Sequence, residues 1–500
     1  VNELILRIDN IIEKIILFIE KNFYLFFLIL LFISLFNIFK NIDIKQLNNW
    51  DEARHGISAY EMLENNNFII NTFLNKKDYW YLKPPLGLIL IAFSYKIFGY
   101  SVFAMRFTSA FFGFLCVVII VLSGKYLFNG LTGLLSGFIL ISSLGYLFDH
   151  AIREGNLDSQ IALLILLSIV SFTLMDKNRI YFYFIALLSS FGFLIKSFAG
   201  LQIIIIFFVL FIIFKKYQKI NLKDFIIFLF IFIAPILIWV VMRYFVDGFE
   251  FFRKMINYDL LARTKTSLEG HTGGYDYYYQ VLKNGMKKWF YFFNIILFLF
   301  ILKIFKKEFF NVFLIDINEK IIWIYTLVLF LILSVVKTKC YWYAISVYPL
   351  FSTLIGIYLA RFLKLDIKKN VVIYFSIKIF LIILFFSYLI YNQIKITKDI
   401  LFIQYSPDYE TLLKIKSDQN KNFYFYENDA FSQSNIFVVK IIKKLNPVLI
   451  DKNKQEFIKN YISGKEKGYL FLKNKNLNIK INSKFIFLKN DDYIILKNFS

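Results

Sequence analysis

Residues 23–39 read FYLFFLILLFISLFNIF, seventeen positions without a single charged side chain. A bilayer core about 30 Å thick takes roughly 20 apolar residues to cross as a helix, with ~17 near the lower limit. The same Ile/Leu/Phe make-up returns at 201–214 and 375–390, and the 500 residues are 58% hydrophobic and 20% aromatic. With a mean hydropathy of +0.60, this composition excludes an ordinary soluble protein. The chain reads as an α-helical polytopic membrane protein. Its net charge of +23 would suggest a nucleic-acid partner in a soluble chain, but a membrane protein keeps Lys and Arg in its cytoplasmic loops for topology. No nucleic-acid partner is expected. Cys116 and Cys340 lie far apart and offer no metal-ligand spacing. The first apolar run starts late and lacks a small-residue cleavage site, so a cleavable signal peptide is not expected.

Eleven spans are expected, near 23–39, 102–124, 130–148, 157–175, 180–196, 199–214, 223–245, 289–305, 320–336, 341–361 and 371–391. The 16 residues 84–99 open on Pro84-Pro85; they are too short for a usual span and fit a juxtamembrane or re-entrant helix. Loop charge then separates the two sides. The loops at Lys125, 176–179, 215–223, 303–320 and 361–369 hold fifteen Lys/Arg, against four (Arg153, Lys196, Lys337 and Lys339) on the opposing short loops. The basic set belongs in the cytoplasm. Residues 40–101, the loop 246–288 and the tail 392–500 are then extracytoplasmic.

Two domains are expected: a membrane domain over 1–391 and a C-terminal α/β domain over 392–500. In the tail, 422–426, 437–442, 469–472, 485–488 and 493–496 are β-prone runs, interleaved with helical stretches at 409–415 and 455–461.

Charged residues crowd the outer loops. Trp50-Asp51-Glu52-Ala53-Arg54-His55 opens the first loop. A carboxylate pair beside Arg54 and His55 can act as a base or hold a divalent metal; the plainer alternative makes Asp51 an N-cap and Glu52 a first-turn acid. Tyr79-Trp80-Tyr81-Leu82-Lys83-Pro84-Pro85 sets an aromatic cluster and a lysine before a Pro-started helix, a place for a phosphate or for an interfacial belt with a snorkelling lysine. Asp158 follows Arg153-Glu154 on the same side, as a further carboxylate or as a helix cap. Glu269-Gly270-His271-Thr272-Gly273-Gly274 reads as a flexible turn before a tyrosine run. Lys337 and Lys339, ahead of Tyr343, run against the positive-inside trend, which calls for a local anionic partner.

In order along the chain stand Trp50-Asp51-Glu52-Ala53-Arg54 with Glu61-Met62-Leu63, Lys83-Pro84-Pro85-Leu86, Arg106, Leu157-Asp158, Lys196, and Lys337-x-Lys339 with Tyr343 and Pro349. Over roughly residues 20–360 this series resembles the protein O-mannosyltransferase-like branch of the GT-C glycosyltransferases, which includes the lipid A aminoarabinose transferases. The resemblance implies a GT-C fold and a polyprenyl-phosphate-sugar donor. It also implies a lipid A, glycan or protein acceptor and an active site at the extracytoplasmic face of the bacterial inner membrane. Asp51 is then the catalytic carboxylate, with Glu52 and Asp158 orienting it, the acceptor or a divalent metal. Lys83, Lys337, Lys339 and Arg54 are expected at the donor phosphate, and His55, Tyr81, His271 and Tyr343 at the substrates. Three departures stand out: His55 replaces a common aromatic, Lys196-Ser197-Phe198 replaces a more usual Lys-Gly, and 269–274 matches only loosely. The rival expectation is a transporter or flippase for an anionic lipid, which would carry polar or broken helices at the midplane.

Overall fold

The computed structural model describes residues 2–305, 316–364, 371–416, 421–426, 432–450, 454–473, 485–489 and 493–498. Parts of two basic loops, 306–315 and 365–370, lie outside the described residues. The chain divides into two compact units, one of Val1–Lys40, Tyr79–Gly87 and Ser109–Leu401, the other of Asn41–Asp78, Leu88–Thr108 and Phe402–Ser500.

Among the described residues six apolar stretches are long enough to cross a membrane: Val102–Leu127, Leu222–Asp247, Ile317–Val335, Tyr341–Leu363 and Lys378–Leu401, and Ile180–Ile213 when its two helical arms are counted together. A seventh arises if Ile5–Lys21 and Phe23–Phe39, bent by 77°, count as one. The bend at Asn22 separates an amphipathic helix with acids and bases along it from a wholly apolar one, the pattern of an interfacial helix feeding a span. This is a multi-pass membrane protein.

Ile180–Ile213 is a hairpin. Ser197, at φ 46 and ψ −133, ends the first arm Ile180–Lys196, and a 3-10 turn over Ser197–Leu201 starts the second, Gln202–Ile213. Gly192 and Gly200 meet back to back, so a Cβ on Gly200 would fall 1.9 Å from the Gly192 carbonyl oxygen. Phe182, near the start of the first arm, stacks on Phe211, near the end of the second, at 5.9 Å. The separate runs expected at 180–196 and 199–214 are these antiparallel arms.

Small residues let other helices close in similarly. A Cβ on Gly356, in helix Tyr348–Leu363, would meet Ser136 Oγ at 2.1 Å, and one on Gly133 would meet the Val121 carbonyl oxygen at 2.2 Å. Burial then sorts the helices: nearly every residue of Tyr348–Leu363 is buried, whereas in Leu222–Asp247 only Asp224, Phe228, Trp239 and Arg243 are, and its Ile/Phe surface faces outward. Helix Leu86–Phe98 has 13 residues, about 20 Å at 1.5 Å per residue, short of the hydrocarbon thickness.

The second unit carries a five-stranded sheet. Its order is Asn446–Ile450, Asn422–Tyr426, Gly468–Lys473, Tyr493–Asn498, Ile486–Lys489, with two parallel pairings followed by two antiparallel ones. Tyr424, Ile458, Tyr461, Leu470 and Leu496 form its core with helix Lys454–Ile462. One expectation is corrected here. Residues 437–442 are helical, continuing Gln433–Phe437 through a π-type turn Val438–Ile442, and the missed strand is Asn446–Ile450. The β-branched run is helical because it is buried, with the Phe437 ring seated against Gly56; tertiary burial outweighs β-propensity. Ser432 caps that helix by accepting the Asn435 N–H.

Candidate active site

Helix Asp51–Glu64 starts at an unusual turn. Trp50 occupies the N-cap at φ 64, so Asp51 is the first helical residue and not the cap. Its carboxylate is half-buried at the electropositive end of the helix, where a negative charge is favoured. Glu52, the next residue, is fully buried. Arg106 grips it with Nε to Oε1 at 2.6 Å and Nη2 to Oε2 at 3.0 Å, and the Asn48 N–H donates to Oε2 at 2.7 Å. Arg106 also donates to the carbonyls of Ile42, Lys45 and Gln46. One guanidinium thus ties the segment 42–46 to Glu52 on the first turn of the helix.

Arg54 pairs with Asp78 at 2.7 Å and lies over the Phe73 ring at 4.2 Å, bracing the hairpin of Thr72–Phe73 and Lys76–Lys77. Glu61 holds the same hairpin through Thr72 Oγ1 and the Asn75 N–H, and it also pairs with Lys440. His55 is buried in this helix at 2% exposure.

In the first unit, Asp158 starts helix Asp158–Leu174 and pairs with Lys196, whose ammonium sits 4.8 Å above the Tyr343 ring. All three line a cleft of about 150 Å³ that also takes in Asp259 and Arg263. Ser197 Oγ donates to Asp259 Oδ2 at 2.7 Å, and Arg263 Nε bonds the other oxygen at 3.0 Å. Asp259 and Arg263 were missed from sequence; their i, i+4 spacing was the available signal.

The lysines after helix Ile317–Val335 divide in role. Lys339 is 3% exposed and donates to the Leu333 carbonyl at 3.1 Å and to that of Ser334, satisfying the carbonyls that end the helix. Burial, then the charge of Lys337, pushes its ammonium below the usual lysine range. Lys337 itself is exposed. The Lys339 N–H donates to the His271 carbonyl and the Thr338 N–H to that of Arg263, tying loop 263–271 to this segment. His271 meets the Trp342 ring edge-on at 5.2 Å, and His150 stacks on the same ring at 4.4 Å. Lys83 lies 4.7 Å over the buried Tyr81 ring.

The expected site residues therefore fall in two groups: Asp51, Glu52, Arg54 and His55 in one unit, and Lys83, Tyr81, Asp158, His271, Lys337, Lys339 and Tyr343 in the other. Two of the three carboxylates expected at a divalent metal are already paired with cations. Glu52 is neutralised by Arg106 and Asp158 by Lys196, and among the described residues no three His, Cys, Asp or Glu side chains gather as a metal group.

Residues 82–242 match the family described as dolichyl-phosphate-mannose-protein mannosyltransferase. A 122-residue segment is 30% identical to the undecaprenyl phosphate-alpha-4-amino-4-deoxy-L-arabinose arabinosyl transferase of Pseudomonas savastanoi pv. phaseolicola, taking in 24% of this chain and 22% of that one. The structure of ArnT from Cupriavidus metallidurans bound to undecaprenyl phosphate is similar over 94% of this chain and 97% of that chain, with a TM-score of 0.67 at 11% identity. The Archaeoglobus fulgidus oligosaccharyltransferase in its apo form is similar over 91% and 70%, with a TM-score of 0.53 at 10% identity. The resemblance to GT-C glycosyltransferases seen in the sequence stands on these findings.

Proposed function

We propose that this protein is a membrane glycosyltransferase that moves one sugar from a polyprenyl-phosphate carrier to an acceptor at the outer face of the bacterial inner membrane. The observation that carries the reading is the near full-length likeness to a transferase seen with undecaprenyl phosphate bound. The acceptor hydroxyl gives its proton to the Asp51 carboxylate while its oxygen forms a bond to the sugar anomeric carbon. The bond from that carbon to the phosphate oxygen breaks, and the lipid phosphate leaves with the electron pair. A lipid phosphate is already a good leaving group, so the need is for positive charge at the phosphate rather than for a strong acid. Lys83 and exposed Lys337 suit that task, with Arg263 at the cleft of Asp158 and Lys196. Lys339 and Arg54 support the site through its frame, one ending a helix and the other bracing a hairpin, and Glu52 serves through Arg106 as a positioning residue. His55, Tyr81, His271 and Tyr343 are assigned to substrate contact or to shaping those contacts. The acceptor is lipid A, another glycan or a protein; with a phosphate acceptor Asp51 acts electrostatically, since no proton need be removed.

The test is transfer from radiolabelled polyprenyl-phosphate sugar in proteoliposomes, together with intact-mass analysis of envelope lipids and glycans from deletion and wild-type cells. Label appearing in an acceptor, and one sugar mass lost in the deletion strain, is expected. Donor lipid that changes leaflet without any sugar transfer would favour the flippase reading instead.

A further inference from the structure

The second unit has a cleft that the transfer chemistry leaves unused. It encloses about 530 Å³, within the roughly 300–1,000 Å³ usual for a ligand site. Its walls come from three separate stretches: Tyr60 and Glu64 from the end of helix Asp51–Glu64, Leu74 and Asn75 from the hairpin turn with Tyr100 beyond it, and Lys444 and Asn446 from the turn into strand Asn446–Ile450.

The tyrosines form a supported platform. Tyr60 and Tyr100 are half-buried, with ring centroids 4.8 Å apart at 71°, and buried Tyr95 backs Tyr100 at 5.5 Å while donating its hydroxyl to the Gly56 carbonyl. Tyr100 is aimed by donating to Glu64 Oε1 at 3.0 Å. Around the rings stand a carboxylate, two amides and two lysines. The charge is balanced, because Lys440 on the wall is paired with Glu61, leaving Glu64 against Lys444. The wall is also held in costly backbone: Leu74, Asn75 and Lys444 sit at φ 54, 60 and 56. For leucine and lysine a left-handed conformation is disfavoured, and such strain persists where the surroundings enforce it.

A rigid aromatic face ringed by carboxylate and amide groups, with no net charge, matches one ligand chemistry. The C–H face of a pyranose packs on the tyrosines, and its vicinal hydroxyls exchange hydrogen bonds with groups that both donate and accept. We propose that this cleft binds neutral sugar rings of a glycan. Its use would be to hold the glycan acceptor beyond the bond being made, a role that rests on the transferase reading; the binding itself does not.

The experiment uses the full chain in lipid nanodiscs, free of glycoside detergents, with maltotriose and chitotriose as probes and saturation-transfer-difference NMR as the readout. Saturation of ring C–H protons by at least one trisaccharide is expected. Tyr60→Phe should keep it, while Tyr60→Ala weakens binding about threefold to tenfold, the worth of one aromatic contact. Glu64→Gln, a surface change that leaves the fold in place, should weaken it as well. No saturation of either sugar would overturn the proposal, as would equal saturation in Glu64→Gln and Tyr60→Ala, or displacement of the sugar signal by an extended Ser/Thr heptapeptide that binds more tightly. Because no donor lipid is present, a failure here leaves the transfer assay untouched, and a failed transfer assay leaves this result standing.

Discussion

Ser197 Oγ donates to Asp259 Oδ2 at 2.7 Å from a backbone that only glycine adopts at ease, φ 46 and ψ −133. The departure from Lys-Gly noticed in the sequence is therefore an exchange of strain for a charge-assisted bond. Ser197→Ala keeps the strain and loses the bond, about 1.5–3 kcal/mol for a hydrogen bond to a charged group. Ser197→Gly loses the same bond but relieves roughly 1–3 kcal/mol of strain. Thermal unfolding in detergent should place Gly near wild type and Ala well below both. The reverse order would rule out the strain, and an Ala variant as stable as wild type would mean that the bond is not the reason for the serine.

Arg106 and Glu52 are both essentially buried, at 1% and 0% side-chain exposure. Removing one partner leaves the other charge stranded, which costs about 3–5 kcal/mol. Arg106→Gln should lower the yield of monodisperse protein sharply. Arg106→Lys should recover only part of it, because an ammonium cannot serve the carboxylate in bidentate fashion and reach the Ile42, Lys45 and Gln46 carbonyls as well.

Asp51→Asn should fold, since the residue begins a half-buried helical turn outside the apolar core. If it is the base for a hydroxyl acceptor, the loss of general-base assistance lowers kcat by about 10²–10⁴. Near wild-type turnover at matched expression would remove it from that role.

Lys337 and Lys339 should separate cleanly. Lys339→Gln removes the ammonium that satisfies the Leu333 and Ser334 carbonyls, so thermal stability falls first. Lys337→Gln should leave stability alone and raise the KM for donor lipid by roughly tenfold or more, the worth of a charge-assisted contact made equally in ground and transition states. Unchanged KM in Lys337→Gln would take it away from the phosphate.

The orientation predicts that a cysteine at position 70, and another in the tail, react with a membrane-impermeant thiol reagent added from outside intact spheroplasts. Labelling of position 70 only after permeabilisation would reverse the assignment.

What could be seen from sequence follows the range of the interactions. Apolar runs are local, so the helices were visible, and the reversal at Lys196-Ser197 showed in the break between two runs. The strand at Asn446–Ile450 was hidden by Pro447, which is tolerated because that strand lies at the sheet edge. Residues 437–442 misled because their β-branched composition says nothing of a burial site at Gly56. The charged residues were visible in the sequence, but their partners were not. Arg153 faces the carbonyls of Asn37, Ile38 and Lys40, ending helix Phe23–Phe39, and Lys339 ends another helix. A cation that closes a helix and a cation left at the surface look alike until the chain is folded.

The three-segment make-up of the second unit sets a timetable for biosynthesis. Gln46 reaches Ser434 and Asn435, and Glu61 reaches Lys440, across 388, 389 and 379 positions of chain. At about 5–20 residues per second, the first loop leaves the ribosome roughly 20–80 s before its partners exist. Over that interval Glu61 lacks its lysine and Gly56 lacks the Phe437 ring, so the nascent loop is exposed to proteases and chaperones. A stop codon before 432 would therefore strip away more than the tail. It would leave the helix that carries Asp51 without the surface it was built to rest on, and such fragments should be cleared quickly rather than persist as shortened enzymes.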